Sequence, residues 1–193
     1  MSDTEYCYPP DFTVLRNRLG LRDAAVLDFH ERELVAQRIA EGAPTGDFDL
    51  RHLRAIHRHL FQDVYDWAGE LRTVEIAKGG SQFQFHCFIG AGMADVHRRL
   101  VESSFLQGLS QEDSARDAGV IIGDVNYVHP FREGNGRTQL LYLEQLTTRA
   151  GHPFALRWID GDRWMEASQA SHVGDYAPMA DCIRHAVEAS DNS

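Results

Sequence analysis

Cysteine is scarce: Cys7, Cys87 and Cys182 are the only three in 193 residues. Few, odd in number and widely spaced, they exclude a disulfide framework or a cysteine metal site and fit a reducing compartment. No apolar run reaches the roughly 20 residues that a membrane-crossing helix needs. The acidic, polar N-terminus lacks the pattern of a signal peptide, so the cytosol is the expected location. Positive charge is short as well: 19 Lys and Arg face 29 Asp and Glu, a net charge of −10. A nucleic-acid surface needs a basic face, which removes nucleic acid as the main partner; the acidity reads as solubility. Internal repeats, low-complexity tracts and long linkers are also missing, so residues 1–193 are expected to form a single domain with a proper core.

What is present is mostly helical periodicity. After an irregular start over about residues 1–20, marked by Pro9 and Pro10, residues 24–39 place Ala25, Leu27, Leu34, Val35 and Ile39 at helical spacing before Gly42 and Pro44. Asp49 is a plausible N-cap for a helix carrying Leu53, Ile56, Leu60 and Val64 on one face. Residues 73–77 alternate as a strand, Gly79 and Gly80 turn the chain, and residues 82–85 return as the partner strand. Further helices are predicted over 93–106, from a Ser110 cap to about Tyr127, from the run 138–147 to Gly151, from Asp160 or Gly161 to about Ser171, and near Pro178. The expected fold class is mainly α, with one short β-hairpin over residues 70–86.

The most informative stretch is residues 129–137, His-Pro-Phe-Arg-Glu-Gly-Asn-Gly-Arg. His129 offers a base whose ordinary pKa of about 6.5 leaves it neutral at cellular pH. Glu133 supplies the hard oxygen that a phosphate-bound magnesium prefers. Gly134 and Gly136 permit close backbone approach, so their amides can converge on an anion at the start of the following helix. Arg137, one turn inside that helix, can hold phosphate oxygens through two parallel hydrogen bonds. Asn135 either tolerates a left-handed turn or donates its side chain to a phosphate, while Phe131 reads as a core anchor and Arg132 as a surface charge.

This stretch resembles the signature of the Fic family, His-x-Phe-x-(Asp/Glu)-Gly-Asn-Gly-Arg-x-x-Arg. His129, Phe131, Glu133, Gly134, Asn135, Gly136 and Arg137 all fall on it. The run Tyr65-Asp66-Trp67-Ala68-Gly69-Glu70-Leu71-Arg72-Thr73 resembles the approach to the family's hairpin flap, Lys78-Gly79-Gly80 its turn, and residues 158–186 its closing helices. The likeness covers the chain from about Asp49 onward. It implies a Fic-type helical bundle that transfers AMP from Mg-ATP to a Ser, Thr or Tyr hydroxyl of a target protein. His129 would act as the base, Glu133 as the Mg2+ ligand, and Gly134, Asn135, Gly136 and Arg137 would bind the nucleotide. The flap residues Thr73, Val74, Glu75, Ile76, Ala77, Lys78, Gly79 and Gly80 would dock the target.

One position departs from the pattern: Leu140 stands where a second arginine would clamp the terminal phosphate. Two alternatives stay open on that account, a Doc-like transfer of the γ-phosphate and a degenerate domain that binds without chemistry. The family's inhibitory segment, Ser/Thr-x-x-x-Glu-(Gly/Asn), has no match here, since Glu41-Gly42 and Glu133-Gly134 follow Gln37 and His129. The chain thus resembles the toxin half of a toxin–antitoxin pair. Elsewhere, His52, His57 and His59 read as a half-exposed helix face rather than a zinc site. His152-Pro153-Phe154 repeats three letters of the motif without the rest. Trp67, Trp158 and Trp164 read as core.

Overall fold

The computed structural model describes residues 4–78 and 80–191. Gly79, expected in the hairpin turn, lies outside the described residues. Helix α1 (Ala24–Glu41) starts where the Asp23 carboxylate accepts the Ala25 and Val26 amides, and stops at Gly42 with φ 85°. Asp49 caps α2 (Leu50–Phe61) by accepting from the His52 amide. Its Leu53, Ile56 and Leu60 are fully buried, as the periodicity predicts. The Ser110 hydroxyl opens α4 (Gln111–Val128) and Asp160 opens α6 (Gly161–His172), each by the same kind of side-chain bond to a first-turn amide. Helix α5 (Asn135–Ala150) ends at Gly151 in the left-handed region, and α7 (Ala177–Asp191) closes the chain.

The third helix is shifted from its expected span: α3 runs over Ile89–Glu102, and Ser104–Leu106 form a separate tight turn. The cause is local, because Ser104, Phe105 and Leu106 all take positive φ, which no right-handed helix accommodates. Helix α4 is the centre of the bundle, packed by α3, α5, α6 and α7, while α2 bridges α1 and α5. Gly119 lets α4 approach the α7 backbone closely, since a Cβ there would lie 2.9 Å from the Ala180 nitrogen. Among the described residues, no helix is long and apolar enough to cross a membrane.

The hairpin is much shorter than its alternation suggests. Only β1 (Ala77–Lys78) and β2 (Ser81–Gln82) pair, antiparallel, with Ala77 opposite Gln82 and Lys78 opposite Ser81. Beyond that pairing, Phe83 gives its amide to the Ile76 carbonyl at 3.3 Å, and the outer parts of the two predicted strands bond elsewhere. Thr73 gives its amide to the Tyr6 hydroxyl at 3.2 Å, and Gln84 gives its amide to the Tyr127 carbonyl of α4 at 3.0 Å. Three further expectations need correction. His52 and His57 are buried rather than half-exposed, and the His57 ring is fully enclosed. Trp158 is 40 % exposed, beneath the Arg157 guanidinium, so it does not belong to the core as Trp164 does.

Candidate active site

The nonapeptide forms the corner between α4 and α5. His129 caps α4 with φ 47° and ψ 64°, and Pro130 prevents the helix from continuing. The turn leaves the imidazole with one defined tautomer. Its Nδ1 lies 3.0 Å from the Asn126 carbonyl, which can only accept, so Nδ1 carries the hydrogen and Nε2 keeps a lone pair. The ring stacks on Phe83 at 3.7 Å, which places the foot of the hairpin directly on the base. Burial pushes His129 down to about 4, outweighing the Asn126 bond, and the charges of Arg72 and Lys78 act in the same downward direction. The imidazole is therefore neutral throughout the physiological range.

The loop after it is braced from below. Phe131 is buried and stacked on His57 at 3.9 Å, the core anchor its position implied. His57 donates from Nε2 to the Glu133 carbonyl at 3.0 Å and accepts the Gly69 amide on Nδ1 at 2.8 Å. Its enclosure pushes it down to about 3, so it serves as a neutral strut. Asn135 does not take the left-handed turn: the left-handed residue there is Gly134, and the Asn135 carboxamide is turned onto its own loop. Its Oδ1 accepts the Phe131 amide at 2.9 Å and its Nδ2 donates to the Phe131 carbonyl at 2.7 Å.

The two glycines differ in kind. Gly134 has φ 79°, and a Cβ there would sit 2.3 Å from the Phe61 ring, so both conformation and space require glycine. Gly136 has nothing within 4 Å of its would-be Cβ, although glycine in a helix costs about 1 kcal/mol relative to alanine. Among the described residues no neighbour demands it. Gly134→Ala is accordingly expected to destabilise the protein by roughly 2–5 kcal/mol in urea unfolding. Gly136→Ala should unfold at the same or slightly higher urea concentration. Equal midpoints for the two variants would contradict this distinction.

Helix α5 begins at Asn135 with Gly134 as a cap that has no side chain, so the helix presents its first amides and its positive end to the loop. Glu133 is exposed, with one carboxylate oxygen accepting the Gly134 amide at 2.9 Å. Arg137 lies over the Phe61 ring at 4.8 Å and is paired with Glu31 of α1. Leu140 is partly buried against the core. Among the described residues no group of three or more His, Cys, Asp and Glu converges on a metal-sized site. The decoy His152 merely holds the Leu109 carbonyl at 3.0 Å.

Two further residues shape the site without being legible as such. Arg72 has a fully buried side chain, and its guanidinium donates to the carbonyls of His129 and Val74 at 2.8 Å, of Val128 at 3.3 Å, and of Gln84. Its own amide donates to the Pro130 carbonyl at 2.9 Å. One side chain thus ties both legs of the hairpin to the base. Glu75 completes this joint by accepting from His86 Nδ1 at 2.7 Å. The second residue is Glu31, and a signal for it did exist: it sits four residues from both Leu27 and Val35, on a stripe that is otherwise apolar.

Known proteins resemble this chain over most of its length. A profile described as the Fic/DOC family matches residues 47–147. The chain is 39% identical over 182 residues to a probable protein adenylyltransferase, y4lH, of Sinorhizobium fredii, covering 94% of each. It is 35% identical over 184 residues to the probable protein adenylyltransferase Fic of Salmonella typhimurium, covering 94% of this chain and 91% of that one. Among solved structures, the BepC protein of Bartonella tribocorum with bound AMPPNP superposes with a TM-score of 0.88 at 25% identity, over 96% of this chain and 97% of that one. The N-terminal Fic domain of a Bartonella quintana effector with bound ADP gives 0.88 at 27% identity, over 96% and 95%.

Proposed function

This chain belongs to the Fic/DOC family, and we propose that it is a protein adenylyltransferase, moving AMP from Mg-ATP to a hydroxyl side chain of a target protein. The observation that carries this reading is the His129 tautomer, fixed by Asn126 with Nε2 unprotonated, directly before a loop that feeds the positive end of α5. Nε2 takes the proton of the target hydroxyl as its oxygen bonds to the α-phosphorus and pyrophosphate leaves with the bonding electrons. The amides at 135–137 and the Arg137 guanidinium stabilise the negative charge that shifts during displacement. Asn135 contributes by holding the loop in shape, through Phe131. The helices from α1 to α7 act as one domain around this corner.

Glu133 fits a magnesium ion carried in by the nucleotide. Such an ion needs only one or two carboxylates besides phosphate and water oxygens, and Glu133 is exposed at the loop with a second oxygen beyond its Gly134 bond. When bound there, the ion neutralises α- and β-phosphate charge. Target docking falls to the part of the flap beyond the Arg72 joint, chiefly Ala77, Lys78 and Gly80, which are exposed and where an extended segment can add as a strand. Thr73 is occupied by Tyr6 and Glu5 and serves as an anchor of the flap. A separate small antitoxin in the cytosol is the form of control that the missing inhibitory segment supports.

Leu140 favours one competing reading, a reversed nucleotide that gives up its γ-phosphate. Incubation of the protein and candidate targets with ATP labelled at the α- or the γ-phosphate separates the two. Label from the α-position alone is the expected result. Label from the γ-position alone would replace the proposal with the phosphotransferase, and neither label on any target would leave a binding module.

A further inference from the structure

The buried stripe of α1 consists of Leu27, Glu31 and Val35, so a carboxylate stands where an apolar side chain belongs. Glu31 is only 5 % exposed. One of its oxygens accepts from Arg137 Nη2 and the other from the Tyr65 hydroxyl. Tyr65 is itself buried and stacked on Trp67 at 4.2 Å, so the carboxylate is fixed from behind. Arg137 is different: its side chain is 31 % exposed against 7 % for that of Glu31, and Phe61 supports the guanidinium plane. The pair therefore has a rigid, enclosed acid and an open, outward base.

Two roles are conceivable for an acid on a phosphate-binding arginine, obstruction and orientation, and burial separates them. A phosphate that drew Arg137 away would leave the Glu31 charge enclosed without a counter-charge, a state that costs far more than the exposed exchange would return. The pair accordingly stays closed when a phosphate arrives. The guanidinium has five N–H donors in one plane, more than a single carboxylate oxygen takes, so it can serve both partners. Glu31 also lies outside the inhibitory pattern, with Leu27 and Arg32 at the positions that pattern specifies. We propose that Glu31 is a positioning residue, which locks the Arg137 guanidinium in the orientation that receives nucleotide phosphate. With Leu140 in place of a second clamp, the aim of this one arginine carries more of the affinity. The inference rests on Arg137 being a phosphate ligand, as in the function proposed above.

The test is Mg-ATP titration by calorimetry, with thermal melting alongside, on the full chain and on Glu31→Gln, Tyr65→Phe, Arg137→Gln and the Glu31→Gln/Arg137→Gln double variant. Glu31→Gln keeps the shape and removes the charge; it is expected to weaken ATP binding by about tenfold. Tyr65→Phe frees the carboxylate from its rear support and should act in the same direction, by about threefold. In the Arg137→Gln background the Glu31 change should have no further effect on binding, because Glu31 acts only through that arginine. Unchanged binding in Glu31→Gln, or a tenfold loss that persists in the Arg137→Gln background, would overturn the inference in favour of a purely structural pair. Tighter binding in Glu31→Gln would overturn it in favour of obstruction. Should Glu31→Gln melt below the assay temperature, Tyr65→Phe carries the test, and unaltered binding there overturns the inference equally. If Arg137→Gln binds ATP as the parent does, the nucleotide role of Arg137 fails and the inference with it. A binding pattern as expected without transfer of α-label would refute the proposed reaction and leave the positioning role standing.

Discussion

His129→Ala is expected to reduce adenylyl transfer by roughly a hundredfold or more, the range in which a positioned general base contributes, while Mg-ATP still binds with near-parental affinity. The separation follows from where the ring sits. Its Nδ1 is bound to Asn126 and its face to Phe83, while Nε2 makes no hydrogen bond among the described residues and, in the proposed mechanism, meets the target hydroxyl and not the phosphates. Single-turnover transfer together with ATP titration checks both halves. Transfer within a few-fold of the parent would remove His129 from the base role. A pH profile adds a second constraint. Because burial places His129 at about 4, well under its ordinary value, the base form is complete above that point. The rate should be flat from neutral pH down to about 5 and fall as pH drops through about 4. An inflection near 6.5 would mean that the imidazole titrates as an exposed histidine and that the enclosure by Phe83 opens in solution.

Arg72→Met is expected to cost roughly 3 kcal/mol or more in stability and to abolish most transfer, although Arg72 is placed on neither nucleotide nor metal. Its guanidinium satisfies carbonyls from the end of α4, from His129 and from both legs of the hairpin. Removing it leaves several enclosed acceptors without donors, each costing about 1–3 kcal/mol where water cannot replace the bond. Urea unfolding gives the stability loss. Amide hydrogen exchange should show the hairpin and residues 128–131 losing protection together. Arg72→Lys should recover only part of this, since an ammonium lacks the planar fork that reaches four carbonyls. A stable Arg72→Met protein with normal transfer would mean that the hairpin is held to the base by Phe83 and the Gln84–Tyr127 bond alone.

The helical elements were legible because their determinants are local. Asp23, Asp49, Ser110 and Asp160 stand next to the helices they open, and each makes the amide bonds that such residues make at helix starts. The nonapeptide was legible for a related reason: its glycines, proline and helix junction lie within a few bonds of one another. The hairpin was not, because alternation records which side chains face inward and says nothing about whose amide a carbonyl receives. Thr73 and Gln84 found partners on the N-terminal segment and on α4, far along the chain. Asn135 shows the same limit at short range, since its side chain could serve a phosphate or the loop, and only the packed loop shows the carboxamide turned onto Phe131.

By itself the sequence determined a mainly helical protein, the starts of α1, α2, α4 and α6, the need for glycine freedom in the loop, and a histidine, a carboxylate and a guanidinium gathered at one corner. These follow from backbone sterics and capping, which act over a turn or two of chain. The tertiary structure alone decided which nitrogen of His129 is free, that Arg72 fastens the hairpin to it, and that a glutamate 106 residues before Arg137 sits behind its guanidinium. Each of these depends on an enclosed polar group finding a partner wherever packing brings one, and such a demand sets how an atom must be satisfied without setting how far along the chain its partner lies.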